Sequence, residues 1–200
     1  MDSPPENAVP DYLGVSLGKF LDLVASDAPA PGGGSVAAVA VALAAGLSGM
    51  AARLSAGRLA DAPELADQSD ALRLRVAPLA TADAESYGSV LAAYREPDPE
   101  TRKARARDAL SGAADVPLAV AEAGDEVVGI AYRLAEEGNP NLKGDATAAV
   151  LLAGAGVRAA ATLVGINLSA ADIDDDRLGR ADGLVDEAAE SVWRATERDR

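Results

Sequence analysis

The chain has 200 residues, 49% of them apolar, enough for one domain of ordinary size with a buried core. Its 32 acidic and 18 basic side chains leave a net charge of -14, which argues against nucleic-acid or anionic-membrane binding, because both need clustered Lys and Arg. The absence of Cys and His excludes disulfides, structural zinc sites, thiol nucleophiles and every His-dependent triad, so proton transfer falls to Asp, Glu, Lys, Tyr, a terminus or water.

Residues 1–12 are acidic and Pro-rich and read as a flexible tail; without a basic n-region or an apolar h-region they do not form a signal peptide, and a cytoplasmic location is expected. Ser16 is placed to cap a first helix in which Leu17, Phe20, Leu21 and Val24 form an i, i+3, i+4, i+7 stripe. Pro29 to Gly34 break the chain, and Ser35 is expected to cap a second helix running to about Gly57. Its uncharged stretch from Val36 to Ala52 is slightly short and weakly apolar for a membrane span, so a central buried helix is expected, with small residues on nearly every face.

Pro63 suits the first turn of a third helix that reaches Tyr94 with a kink at Pro78. After the turn Glu96 to Pro99, a fourth helix extends to Glu137, bent or broken at Pro117. Gly138 to Asn141 stop it, a fifth helix covers about Leu142 to Asn167, and the acidic stretch from Asp172 to Asp176 leads into a last helix ending near Glu197. No strand, fixed-period repeat or second domain is apparent. The expected fold is all-α: one antiparallel bundle of about five to six helices, several long and Pro-kinked.

Three segments can carry chemistry. Pro31-Gly-Gly-Gly-Ser35 lacks the Gly-Lys-Ser/Thr of a phosphate loop and the spacing of a dinucleotide fingerprint, and a Ser nucleophile here has no His base. What remains is bare backbone a ligand can approach closely, beside a helix start with free N–H groups; a flexible turn with a Ser cap is the plainer reading. On the third helix, Leu72, Val76, Leu79, Asp83, Tyr87, Val90 and Tyr94 follow at three- and four-residue steps and should share the inward face. An Asp in such a stripe is either paired or kept protonated by desolvation, which is what acid catalysis near neutral pH needs; a helix–helix hydrogen bond is the structural alternative. Tyr87 sits one turn on, placed to bond Asp83 or a ligand, whereas Glu85 points to solvent.

The third segment is Asn139 to Asp145. Asp145 lies in a first helical turn, where the helix dipole favours it, and Lys143 is one of only three lysines. Asn167 follows Asp145 by about 33 Å of helix, so it belongs to a cap or a contact elsewhere. Arg58, in Leu54-Ser-Ala-Gly-Arg58, answers the C-terminal dipole of the second helix or binds an anion.

Taken in order, Ala30-Pro-Gly-Gly-Gly-Ser-Val-Ala-Ala38, Leu54-Ser-Ala-Gly-Arg58, Ala82-Asp-Ala-Glu-Ser-Tyr87, Val116-Pro-Leu118, Asn139 to Asp145 and Ile166-Asn-Leu168 resemble the cyclodeaminase/cyclohydrolase family. The resemblance covers nearly the whole chain. It implies an oligomeric, all-helical, folate-processing domain that converts formimidoyltetrahydrofolate to methenyltetrahydrofolate and ammonia, a step tied to histidine degradation, or that hydrolyses methenyltetrahydrofolate. It assigns Asp83 as the catalytic aspartate, Gly33, Gly34 and Ser35 as the glycine turn, and Asn139, Lys143 and Asp145 as a second site segment. Ser55 stands where Thr is common and Gly144 where Ser is common, the latter removing a possible ligand hydroxyl.

The expected chemistry needs no metal and no cofactor beyond the tetrahydrofolate substrate, since a protonated Asp83 can release ammonia and then act as base. The cyclodeaminase reaction is the leading expectation, the cyclohydrolase reaction the alternative, and a non-catalytic folate-binding or helical assembly protein the reading from another class. The expected partners are the folate derivative and a second copy of the chain, with no nucleic acid and no membrane. Lys143 and Arg58 are the expected cations for a polyglutamate tail.

Overall fold

The structure, a computed structural model, describes residues 9–197. Eight α-helices follow in order among these residues: α1 (Leu17–Val24), α2 (Gly33–Arg53), α3 (Ala62–Val76), α4 (Leu79–Tyr94), α5 (Pro99–Ala113), α6 (Asp115–Glu137), α7 (Lys143–Ala170) and α8 (Asp176–Glu197), with a 3-10 turn at Pro140–Leu142. The bundle is all-α, as the periodicity predicts. Counted through two one- or two-residue interruptions, it is a bundle of six.

Both interruptions trace to proline. Pro78 has no N–H to offer the Leu74 carbonyl, so α3 ends at Val76 and α4 restarts on the carbonyls of Ala77 and Pro78, which accept from Ala80 and Thr81 at 3.2 and 3.1 Å. At the second break, Pro117 is the third residue of α6, where its missing N–H would have no intrahelical partner anyway. The chain therefore breaks at Ala114, before the proline rather than at it.

Several local expectations shift. The N-cap of α2 is Gly32, not Ser35; Ser35 is the third helical residue, is completely buried, and spends its hydroxyl on another helix. The helix ends at Arg53, and Ser55 to Leu59 form a turn in which Arg58 N–H donates to the Ser55 carbonyl at 2.8 Å. In the α1 stripe only Phe20 is buried, while Leu17 and Leu21 face outward. The α4 stripe turns inward at Val90 but leaves Tyr87 and Tyr94 exposed, and its core-facing residues are mostly alanines, Ala80, Ala84 and Ala93. The tail ends earlier than residue 12: Val9 packs on the core, and Tyr12 is buried edge-on against Phe20, with ring centroids 5.7 Å apart. Residues 1–8 of the expected tail lie outside the described residues.

Helix α2 is central because its residues are small. A Cβ on Gly156 of α7 would lie 2.5 Å from Val41 Cγ2, and one on Gly124 of α6 2.7 Å from Val157 Cγ2, so α2, α6 and α7 meet at distances only glycine permits. Val41, Val120, Val127, Val157 and Leu184 fill the space around them. By length and composition both α2 and α7 are apolar enough to cross a membrane, which the sequence reading of α2 underestimated; about half of each apolar window (56% and 44%) is buried inside the bundle.

Candidate active site

The start of α2 faces the first two turns of α4. Asp83 approaches the α2 backbone so closely that a Cβ on Gly34 would stand 2.0 Å from its Oδ1 and 2.5 Å from its Cγ. Gly33 and Gly32 carry no such demand: a Cβ on Gly33 meets only Leu163 Cδ1 at 3.8 Å, and one on Gly32 only the Pro29 carbonyl at 4.0 Å. No glycine described has a positive φ. Of the glycine turn, Gly34 alone is required by sterics, and the requirement is room for a carboxylate.

Ser35 holds that carboxylate. Its backbone N–H, among the first N–H groups of α2 and so without a partner inside the helix, donates to Asp83 Oδ2 at 2.8 Å. Its hydroxyl lies 2.7 Å from the Ala80 carbonyl oxygen and 3.1 Å from Asp83 Oδ2. One hydroxyl has one hydrogen, so both contacts are hydrogen bonds together only when Asp83 is protonated and donates to Ser35 Oγ, which in turn donates to Ala80. When Asp83 is ionised, the hydroxyl turns to it instead. Ser35 thus accommodates both protonation states of Asp83 without moving a heavy atom.

Burial pushes the Asp83 carboxyl above its ordinary value, and the two Ser35 hydrogen bonds pull it back only in part. The phenol of Tyr12 is pushed up by its own burial and by the Asp83 charge, which places it in the same electrostatic field. Tyr12 N–H donates to Thr81 Oγ1 at 3.1 Å, fixing the N-terminal segment over the start of α4. No local pattern marked Tyr12, because its role depends on a contact 69 residues away.

Asp83 opens into a cavity of about 240 Å³ lined by the glycine turn, Ser86 and Tyr87 of α4, Ala113 of α5, and Leu163, Ile166 and Asn167 of α7. Asp83, Tyr87, Gly33 and Gly34 therefore meet as expected. Asn167 is the addition: its Nδ2 donates to the Ala113 carbonyl at 2.8 Å, and its side chain faces the same cavity as Asp83. Measured against Asp145 on its own helix it looked remote; its neighbour is on another helix.

Arg58, Asn139, Lys143 and Asp145 lie elsewhere in the chain. They gather beyond the C-terminal end of α2, which at 21 residues is about 31 Å long. Asn139 N–H donates to Ser55 Oγ at 2.9 Å, Asn139 Nδ2 to the Leu54 carbonyl at 3.0 Å, and Arg58 Nε to the Glu137 carbonyl at 3.1 Å. Asn139 Oδ1 accepts from Asn141 N–H, and Ser55 Oγ donates to the Ala51 carbonyl. These bonds clamp the α6–α7 turn onto the end of α2. None of the four residues lines the Asp83 cavity.

A family model described as formiminotransferase-cyclodeaminase matches residues 16–181. A methenyltetrahydrofolate cyclohydrolase of Methylorubrum extorquens is 37% identical over 183 residues, covering 84% of this chain and 88% of that protein. A formimidoyltransferase-cyclodeaminase of Rattus norvegicus is 33% identical over 191 residues, 88% of this chain but 34% of that longer protein. The crystal structure of a formiminotetrahydrofolate cyclodeaminase from Thermotoga maritima superposes with a TM-score of 0.80 at 28% identity, covering 94% of this chain and 98% of that one. With the matched region spanning the carboxylate, its glycine cradle and the Asn167 wall, the chain belongs to the formiminotransferase-cyclodeaminase family, the cyclodeaminase and cyclohydrolase enzymes of tetrahydrofolate one-carbon metabolism.

Proposed function

We propose that this protein is a methenyltetrahydrofolate cyclohydrolase with Asp83 as its acid/base residue. The observation that carries the choice is the identity: the bacterial cyclohydrolase is 37% identical along 88% of its own length, against 33% for the mammalian protein and 28% for the equally coextensive Thermotoga maritima cyclodeaminase. In this reading Asp83 as carboxylate takes a proton from water while the oxygen bonds to the carbon bridging the two folate nitrogens. One carbon–nitrogen bond of the adduct then breaks, that nitrogen takes up a proton, and formyltetrahydrofolate leaves with one proton released overall. The Ser35 hydroxyl follows the charge on Asp83, and a carboxyl pushed upward by burial makes a better base for water than an ordinary one.

The second reading is the cyclodeaminase reaction, which the superposition on the Thermotoga maritima structure favours. It needs Asp83 in the opposite state, as an acid protonating the departing amino group. Purified protein mixed separately with methenyl- and formimidoyltetrahydrofolate tests both, following the methenyl chromophore and released ammonia. Protein-dependent loss of chromophore supports hydrolysis; a rise in step with ammonia overturns it in favour of cyclodeamination. Turnover of neither substrate overturns both.

The reading includes a cytoplasmic enzyme that needs no cofactor beyond its folate and binds neither nucleic acid nor membrane. It also includes a homodimer, supported by α2. The outward positions Val36, Leu43, Met50 and Leu54 are all exposed and apolar, and α2 carries no charge before Arg53. An apolar groove of Val36, Ala40, Ala155 and Ala159 continues the same face onto α7, where Leu151 and Leu152 are also exposed. A helix apolar on every face needs cover on every face. Leu43→Asp is expected to halve the solution mass measured by light scattering; an unchanged mass removes this face as the dimer contact.

A further inference from the structure

A second concavity lies on the same helices as the Asp83 cavity. Those helices, α4, α5 and α7, run on past the cavity, and the concavity is lined by Tyr94, Lys103, Ala106, Arg107, Leu110, Ala170, Ala171 and Asp172. The steps are short on each helix: Tyr87 to Tyr94 is two turns, Ala113 to Leu110 one, and Asn167 to Ala170 or Ala171 one. From Ala113 to Lys103 the rise is about 15 Å. Two of the four tyrosines of the chain, Tyr87 and Tyr94, stand exposed on this one stripe, 43% and 53% accessible, so the groove has an aromatic edge without a protein partner for it.

The far end is cationic in a chain of net charge -14. Arg102, Lys103, Arg105 and Arg107 place four basic side chains within six positions, and two of them face the groove. Arg105 is taken up by Glu96 at 2.5 Å. Arg107 donates through Nε to the Ala171 carbonyl at 3.1 Å and through one terminal nitrogen to the Asp172 carbonyl at 3.4 Å, which leaves three of its five N–H donors unspent. Those carbonyls end α7, with Asp172 in the left-handed region at φ 53°. The Asp172 carboxylate is the one acidic side chain lining the concavity.

Building on the folate reading above, we propose that Lys103 and Arg107 bind the glutamate tail of the substrate, and that the groove between them and Asp83 carries its p-aminobenzoyl ring past Tyr87 and Tyr94. A tetrahydrofolate joins its reacting nitrogens to its carboxylates through one aromatic ring and one amide. With those nitrogens at Asp83, the anionic end of the molecule travels down the groove toward the cations. Lys supplies a point charge that accepts successive γ-linked carboxylates, and Arg107 is already oriented by its two carbonyl bonds. This replaces Lys143 and Arg58 as the tail site within a protomer, since both lie at the opposite end of α2.

The test is direct binding of 5-formyltetrahydrofolate, a stable analogue, as monoglutamate and pentaglutamate, read by calorimetry. The wild type is expected to prefer the pentaglutamate, and Lys103→Glu to weaken that form about tenfold, more than the monoglutamate, and so to abolish the preference. Arg105→Glu makes the same charge change on the same helix away from the groove and should keep it. A preference that survives Lys103→Glu, or is lost instead in Arg58→Glu or Lys143→Glu, overturns the tail site. Equal wild-type binding of the two forms overturns it while leaving the folate reading intact, and failure to bind either form removes the folate reading and the tail site together.

Discussion

Asp83→Asn is expected to fold, to bind folate, and to lose turnover by about 10²- to 10⁴-fold, the range for removing a positioned acid/base group. The same substitution should raise thermal stability at neutral and alkaline pH. Burial pushes the Asp83 carboxyl above its ordinary 3.8, so between that value and the raised one the folded protein binds more protons than the unfolded chain. Stability carried by this group is therefore lost as pH rises through the raised value, where the buried carboxylate must ionise. Asn has no charge to bury, and its amide oxygen still accepts from Ser35 N–H. Melting curves across pH should show the variant above wild type at about pH 8, converging as pH falls and coinciding below the ordinary carboxyl value. A variant that melts lower than wild type at pH 8 would show that the ionised carboxylate stabilises the fold.

The pH–rate profile carries a further sign. A cyclohydrolase that uses Asp83 as a base gains kcat/KM as pH rises through the Asp83 titration, whereas a cyclodeaminase that uses it as an acid loses kcat/KM over the same interval. Either limb should vanish in Asp83→Asn.

Gly34→Ala should match that loss of turnover for a different reason. The new Cβ would overlap Asp83 Oδ1 at 2.0 Å and Oδ2 at 2.8 Å, so the carboxylate must rotate away from Ser35. The displacement is expected to cost about 1–3 kcal/mol of stability, as overpacking does, while turnover falls about a hundredfold or more. Gly33→Ala is the control one residue away. Its Cβ meets Leu163 at an ordinary 3.8 Å, the Asp83–Ser35 bonds stay in place, and the two variants should differ by about two orders of magnitude in kcat. Equal losses would mean that backbone approach by the ligand, not room for Asp83, explains the glycine turn.

The bundle was legible because its signals are local. Prolines at 78 and 117 broke helices within three residues of where they stand, Gly138 and Asn139 ended α6, and apolar spacing of three and four gave the helices themselves. Asp83 stood out for the same reason, as a carboxylate in an apolar stripe. The same logic misassigned Ser35: a serine three residues into a helix resembles a cap until the Ala80 carbonyl and Asp83 are seen beside it.

The sequence by itself thus determined the helices and their breaks and marked Asp83 as a carboxylate in an apolar stripe, because each depends on neighbours within a turn or two of chain. Only the tertiary structure decided which glycine makes room for Asp83, that Asn167 and Tyr12 join its surroundings, and that Lys103 and Arg107 line a concavity on the same three helices while Lys143 and Arg58 lie toward the opposite end of α2. Those relations join Asp83 to residues 20 to 84 positions away, and periodicity within one helix carries no information about which side of another helix it will meet.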